Sequence, residues 1–134
     1  MKLNSTKLKY RTLCPPLPLV NRIKDGLPRL ILDRLPENLD FTEVGWCKLR
    51  DSQGAFLSWG CIDPANNAMH LISSSEGDPG VDFASRLENA LSKRSAQEIS
   101  KGEVVRLVNG PGDNLSGFVL DSYGSTLILT LESW

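Results

Sequence analysis

Apolar residues in this chain come in short runs that turn-forming residues interrupt. Glycine, proline, asparagine and aspartate bound each run, which is typical of β-strands and too short for core helices. No run approaches the roughly 18 apolar residues that would span a membrane. The predicted strands are centred on residues 30–32, 46–50, 55–61, 69–72, 104–108, 117–120 and 126–131.

One β-hairpin and one helix stand out locally. The polar segment 51–54 ends in Gly54 and predicts a hairpin over residues 46–61. A helix is predicted over 82–95, with Asp82 as its N-cap and Phe83, Leu87, Ala90 and Leu91 on one face. The sequence therefore predicts a mainly β, α+β fold with one helix.

A proline cluster at residues 14–18 precedes these elements. Such a cluster cannot propagate a helix or a central strand, so it predicts an extended linker that ends a leader over 1–20. Folded structure is then expected from about Asn21. Six lysines and arginines and no acid precede Asp25, which leaves three readings open: an organellar transit peptide, a nucleic-acid-contacting arm or the product of a wrong gene prediction. We expect a cytoplasmic protein, or a plastid or mitochondrial one if the leader is a transit peptide.

Charge and composition exclude several classes of protein. Residues 25–134 carry nine bases against sixteen acids, so this part is not a basic DNA-binding domain. With 40% hydrophobic and 23% charged residues the chain has an ordinary globular composition, and no membrane partner is expected.

Residues that could carry catalysis are sparse. His70 is the only histidine and lies in an apolar stretch, so a packed or half-exposed strand residue is expected there, with no chemistry. Cys14, Cys47 and Cys61 are far apart and predict reduced thiols. Nucleotide-binding, metalloprotease and serine-hydrolase motifs are absent from the sequence. No catalytic or metal-ligating residue is predicted.

A resemblance is carried by residues 106–124, which read R-L-V-N-G-P-G-D-N-L-S-G-F-V-L-D-S-Y-G. This segment resembles the R-L-V-N-G-E-x-D-x-L-P-G-L-x-V-D-R-Y-G signature of the bacterial-type 23S rRNA cytosine-5 methyltransferases that carry an N-terminal PUA-like domain. Segments 24–29, 49–57, 60–64 and 83–90 are similar, in the same order, to further motifs of that family. Leu27, Arg29, Ser116 and Ser122 depart from it, where the family has His, Trp, Pro and Arg.

The resemblance implies a domain order. It places a PUA-like small β-barrel at 21–76, a linker with the helix at 77–101, and an incomplete β-hairpin domain at 102–134. That last segment would be the start of a central β-rich domain, truncated before a Rossmann-type methyltransferase domain. S-adenosylmethionine (SAM) is implied for the full-length family, while this chain is expected to hold no cofactor and to be inactive alone.

The resemblance implies that the partner is RNA, and rRNA in particular. Basic side chains would contact phosphates, and the candidates are Lys24, Arg29, Arg34, Lys48 and Arg50. Trp46 and Trp59 could stack bases, although core packing is the stronger expectation. A loop is expected to face the catalytic domain through Asn109, Gly110, Asp113, Gly117, Asp121 and Tyr123.

A second function class is a stand-alone β-rich module that has lost RNA binding. It would bind a protein or a second copy of itself through the terminal hairpin. An acidic body and a lost arginine at Ser122 favour this reading.

Overall fold

The computed structural model describes residues 9–36, 40–94 and 103–132. Eight strands in these residues are β1 (Tyr10–Leu13), β2 (Arg29–Ile31), β3 (Gly45–Arg50), β4 (Phe56–Asp63), β5 (Ala68–Ser73), β6 (Val104–Asn109), β7 (Phe118–Tyr123) and β8 (Thr126–Leu131). The helices are α1 (Leu17–Lys24) and α2 (Pro79–Ser92). Neither of these helices is long and apolar enough to cross a membrane.

Five strands form the first sheet, in the order β1-β3-β4-β5-β2. β1 runs parallel to β3, and the other pairs are antiparallel. The α+β, mainly β class is confirmed, as is the hairpin of β3 and β4. Within the described ranges this sheet is open, so the expected small barrel is not closed, and there are two helices where one was predicted.

The expectation that folded structure starts near Asn21 is wrong. β1 pairs with β3 in the first sheet, and α1 buries Leu19, Val20 and Ile23 in the core. Proline breaks a helix when it lies in the helix interior, where its missing N–H removes a backbone hydrogen bond. In the first turn the backbone N–H groups make no hydrogen bond within the helix, so proline is tolerated there. Pro16 is the N-cap of α1 and Pro18 lies within the first turn. The proline cluster therefore starts a helix, and it belongs to the fold rather than to a leader.

The helix predicted over 82–95 exists but begins earlier. Asp78, not Asp82, is the N-cap: its carboxylate accepts a hydrogen bond from the backbone of Gly80 at 2.8 Å. Pro79 follows in the first turn, where proline is favoured. Asp82 lies one turn further on and pairs with Arg86 at 3.1 Å. The helix ends at Ser92, while residue 95, its predicted end, lies outside the described residues.

A second, smaller sheet has the order β6-β7-β8, which confirms the three strands predicted there. Its core joins α2 to the sheet through Phe83, Leu87, Ala90, Val108, Leu115, Phe118 and Leu120. The loop between β6 and β7 turns with φ of +49° at Gly110 and +82° at Gly117. Residues other than glycine rarely adopt such backbone angles, which explains why glycine occupies both of these positions.

Candidate nucleic-acid interface

One face of the first sheet carries basic and aromatic side chains. Trp46, Lys48 and Arg50 alternate along β3 and share this face, whereas Cys47 and Leu49 between them are buried in the core. Backbone register adds Tyr10 opposite Trp46 and Trp59 opposite Lys48. We call Tyr10, Trp46, Lys48, Arg50, Phe56 and Trp59 the aromatic face.

Trp59 lies at the centre of the aromatic face and is only 4% exposed. Tyr10, Trp46 and Phe56 surround it edge to face, with ring centroids at 5.2, 6.3 and 6.4 Å. Its indole N–H donates to the carbonyl of Gly77 at 3.0 Å. Trp59 is therefore a packed residue, as expected, while Tyr10 keeps an exposed ring. Sequence reasoning missed Tyr10 because it lies in the segment that was assigned to a leader.

Lys48 and Arg50 are both engaged within this face. The Lys48 ammonium lies 4.8 Å from the Tyr10 ring centre and 4.9 Å from that of Trp59, within cation–π range. Glu76 forms ion pairs with Arg50 and, at 3.7 Å, with Lys48. Hydrogen bonding from Arg50 lowers the pKa of Glu76 below its ordinary value. One carboxylate therefore offsets part of the charge of two candidate RNA contacts.

The other three candidates are exposed. Lys24 lies in the last turn of α1, Arg29 in β2 and Arg34 in the 3-10 turn that follows β2. Arg29 donates one hydrogen bond, to the carbonyl of Asn66 at 3.4 Å. Their exposure makes these three cations the accessible members of the predicted set.

The loop between β6 and β7 folds around the side chain of Asp113. Asp113 has a side chain only 4% exposed, and its carboxylate accepts hydrogen bonds from the backbone of Asn109 at 2.8 Å, from Lys93 at 3.0 Å and from Arg94 at 3.1 Å. Burial alone would raise the pKa of Asp113, but these donors together outweigh it and lower the pKa to about 2. Asp113 clamps the loop to the end of α2.

The remaining predicted loop residues differ in exposure. Gly110 and Gly117 are buried, and Asn109 is exposed. Asp121 accepts two hydrogen bonds from Arg106, at 2.8 and 3.1 Å, and Tyr123 is 46% exposed. Asp121 and Tyr123 lie in β7 and Asn109 ends β6, so these three are strand residues and not loop residues as predicted. Contact of these residues with a further domain stays a prediction, and Asn109 and Tyr123 have side chains accessible for it.

A buried polar cluster joins the two sheets, and sequence reasoning missed it. Nδ1 of His70 lies 2.7 Å from the hydroxyl of Ser116, and Nε2 lies 3.1 Å from a carboxylate oxygen of Asp63. Asp63 ends β4, His70 lies in β5, and Ser116 belongs to the loop before β7. Ser116 stands where the resembled family has proline, and this difference was the one sign in the sequence that the position is unusual. The sequence did not reveal that His70 is the partner of Ser116.

This cluster contains the residue types of a Ser–His–Asp catalytic triad, but its geometry fits a structural role and not a catalytic one. Asp63 and His70 have no exposed surface and Ser116 has 1%, so no substrate reaches the hydroxyl. A triad also needs its serine on Nε2 and its carboxylate on Nδ1, the reverse of the arrangement here. The cluster satisfies buried polar groups across the boundary between the sheets. His70 is packed, as expected.

No protein-family model matches the chain, and no curated protein matches it. Solved structures do share its fold. A protein of Streptococcus mutans that is proposed to be a SAM-dependent methyltransferase matches with a TM-score of 0.73 and 23% identity over 92% of this chain. SMU.776, a proposed methyltransferase solved in complex with SAH, matches with a TM-score of 0.68 and 21% identity over 93% of this chain. The chain spans about a third of the length of each, 33% in both cases.

Proposed function

We propose that this chain is the RNA-binding, PUA-like segment of a SAM-dependent rRNA cytosine-5 methyltransferase and is not catalytic by itself. The observation that carries the proposal is the fold that over nine tenths of the chain shares with part of two proposed methyltransferases. The signature at residues 106–124 supports the same family independently of the fold. SAM would bind to a catalytic domain outside these residues.

The RNA half of the proposal depends on accessible charge. Lys24, Arg29 and Arg34 are exposed and can neutralise phosphates, which supply most of the sequence-independent affinity for RNA. The exposed ring of Tyr10 beside Lys48 offers a stacking surface next to a cation. Structured RNA is recognised largely by shape and backbone contacts, and these side chains suit that mode.

Binding to a labelled, structured rRNA fragment tests this half, with a DNA duplex of equal length as competitor. We expect RNA to bind more tightly than the duplex, and we expect Arg29→Gln to weaken RNA binding. Arg106→Gln is the matched control, because it also removes one exposed strand arginine but lies in the second sheet, paired with Asp121. Equal losses in the two variants would remove the assignment of Arg29 as a phosphate contact.

Methyl transfer tests the other half. The isolated chain, incubated with SAM and unmodified rRNA, is expected to transfer no methyl group. Turnover from this polypeptide alone would overturn the proposal that it is non-catalytic.

A second candidate function, self-association, is favoured by one observation on β8. Leu127, Leu129 and Leu131 point to the same side of the second sheet and are 44 to 62% exposed. Register aligns Leu129 with Leu120 and Leu131 with Phe118, which belong to the core under α2. The apolar face of the second sheet therefore extends beyond the part that α2 covers and onto the edge strand β8. Edge strands are a common site of strand pairing.

Sedimentation across a concentration series distinguishes this candidate, for which a second copy of the chain is the proposed occupant. A concentration-dependent dimer that Leu129→Lys abolishes would support it. Thr130→Lys is the control, since this exposed neighbour points to the opposite side of the strand. A monomer at all concentrations would exclude it.

A further inference from the structure

Asp63, His70 and Glu132 bring three potential metal-binding atoms together. Nε2 of His70 lies 3.1 Å from Asp63 Oδ2 and 3.8 Å from Glu132 Oε2, and all three atoms lie within 4.8 Å of one another. Glu132 follows β8 directly, so the cluster draws ligands from both sheets. We propose that these three side chains form a binding site for a divalent transition-metal ion, with zinc as the best fit.

Spacing of the donor atoms suits zinc. Nitrogen and oxygen ligands bind zinc at about 2.0 to 2.2 Å, which places tetrahedral ligands about 3.3 to 3.6 Å apart. Two of the three separations, 3.1 and 3.8 Å, lie on either side of that range, and all three atoms lie within 4.8 Å of one another. An imidazole with two carboxylates is also a donor set that suits zinc better than calcium or magnesium, which take oxygen ligands alone.

The surroundings hold these ligands in place. A ligating histidine usually bonds through its other ring nitrogen, which fixes the ring, and the Ser116 hydroxyl lies 2.7 Å from Nδ1 of His70. That hydroxyl can accept from Nδ1–H and leave the Nε2 lone pair for a metal. Asn66 donates to Asp63 Oδ2 at 2.8 Å, and the backbone N–H of Glu132 donates to the carbonyl of Gly117 at 2.9 Å.

A metal ion can reach the cluster from one side. A shallow surface pocket of about 480 Å³ borders Asp63 and Glu132, and its other lining residues include Thr42, Val44, Asn66 and Leu131. Glu132 is 49% exposed there, whereas Asp63 and His70 are fully buried. An ion can therefore enter beside Glu132 and keep a fourth position for water, as zinc sites with three protein ligands do. A bound ion would link the last strand of the second sheet to the first sheet.

Calorimetric titration of the chelator-treated full chain with zinc tests the site. The parent should carry Cys14→Ser, because Cys14 is an exposed thiol that could itself capture zinc. We expect one zinc ion per chain and a raised melting temperature, since an ion that binds the folded state stabilises it. Glu132→Gln should weaken binding at least about ten-fold and abolish the thermal shift.

Two further variants make the outcome decisive. Glu88→Gln removes an exposed carboxylate on α2 and should leave zinc binding unchanged. Cys61→Ser removes the thiol of the residue that is the backbone register partner of His70 and should also leave zinc binding unchanged. No binding by the parent, equal affinity in Glu132→Gln, or loss of binding in Cys61→Ser alone would each overturn the proposed ligand set.

Discussion

The hydroxyl of Ser116 lies 2.7 Å from Nδ1 of His70, although the two residues are 46 positions apart in the chain. Both side chains are buried, and their hydrogen bond connects the loop of the second sheet to a central strand of the first. A buried polar pair of this kind is costly to break because the remaining partner has no water to replace the bond.

Ser116→Ala is therefore expected to lower the free energy of unfolding by about 1 to 3 kcal/mol, the usual cost of leaving a buried polar group without its partner. Urea denaturation of parent and variant measures this difference. Ser92→Ala is the control, since its hydroxyl bonds to a backbone carbonyl on the exposed side of α2, and it should change stability by less than about 0.5 kcal/mol. Equal effects of the two substitutions would contradict the structural role of Ser116.

Asp113→Asn tests the clamp between the loop and α2. The folded-state pKa of Asp113 is about 2, below the ordinary value of about 3.9, so ionised Asp113 stabilises the fold above about pH 4. That contribution is lost as the pH falls from about 4 to about 2, and at pH 7 it is about 2 kcal/mol. Unfolding at several pH values should show a destabilised variant at pH 7 and a difference that shrinks in acid. Asp25→Asn, a change at an exposed aspartate, is the control and should change stability at pH 7 by less than about 0.5 kcal/mol.

Strand positions were predictable because turn residues and alternating apolar residues are local signals. The hairpin of Gly45–Arg50 and Phe56–Asp63 follows directly from its polar turn. The segment 10–20 was misassigned, since a proline cluster is compatible both with a linker and with the first turn of a helix. Only the pairing of β1 with β3 and the burial of Leu19 and Ile23 decide between the two.

The candidate sites were less predictable. Basic residues could be proposed one by one, but the sequence does not reveal that Glu76 binds both Lys48 and Arg50. The contact of His70 with Ser116 and Asp63 likewise arises from tertiary packing between distant segments. Local patterns carry no information on such pairings, so the cluster appears only in the folded structure.

The three cysteines are expected to differ in the reactivity of their thiols. Burial raises the pKa of Cys47 and of Cys61 to about 11 each, so both stay protonated and unreactive near pH 8. Cys14 is exposed. Iodoacetamide followed by mass spectrometry should label Cys14 alone in the folded chain and all three after denaturation. Rapid labelling of Cys47 or Cys61 in the native state would show that this part of the core opens readily.

Glu76→Gln is expected to strengthen RNA binding. The substitution removes the carboxylate that pairs with Lys48 and Arg50 and leaves both cations available to phosphates. Fluorescence anisotropy should show higher affinity and a steeper salt dependence than in the parent. Glu88→Gln adds the same charge on α2, away from the aromatic face, and is expected to have a smaller effect. Unchanged binding in Glu76→Gln would indicate that Lys48 and Arg50 do not contact RNA.

The salt dependence of rRNA binding tests the central claim most directly. Affinity for a structured rRNA fragment should fall linearly on a log–log plot against salt concentration, because bound cations release counterions from phosphates. Replacing Lys24, Arg29 and Arg34 together with glutamine should lower the magnitude of that slope by roughly two to three. Binding that is absent, independent of salt, or unaffected by the triple substitution would contradict the assignment of this chain as an RNA-binding segment.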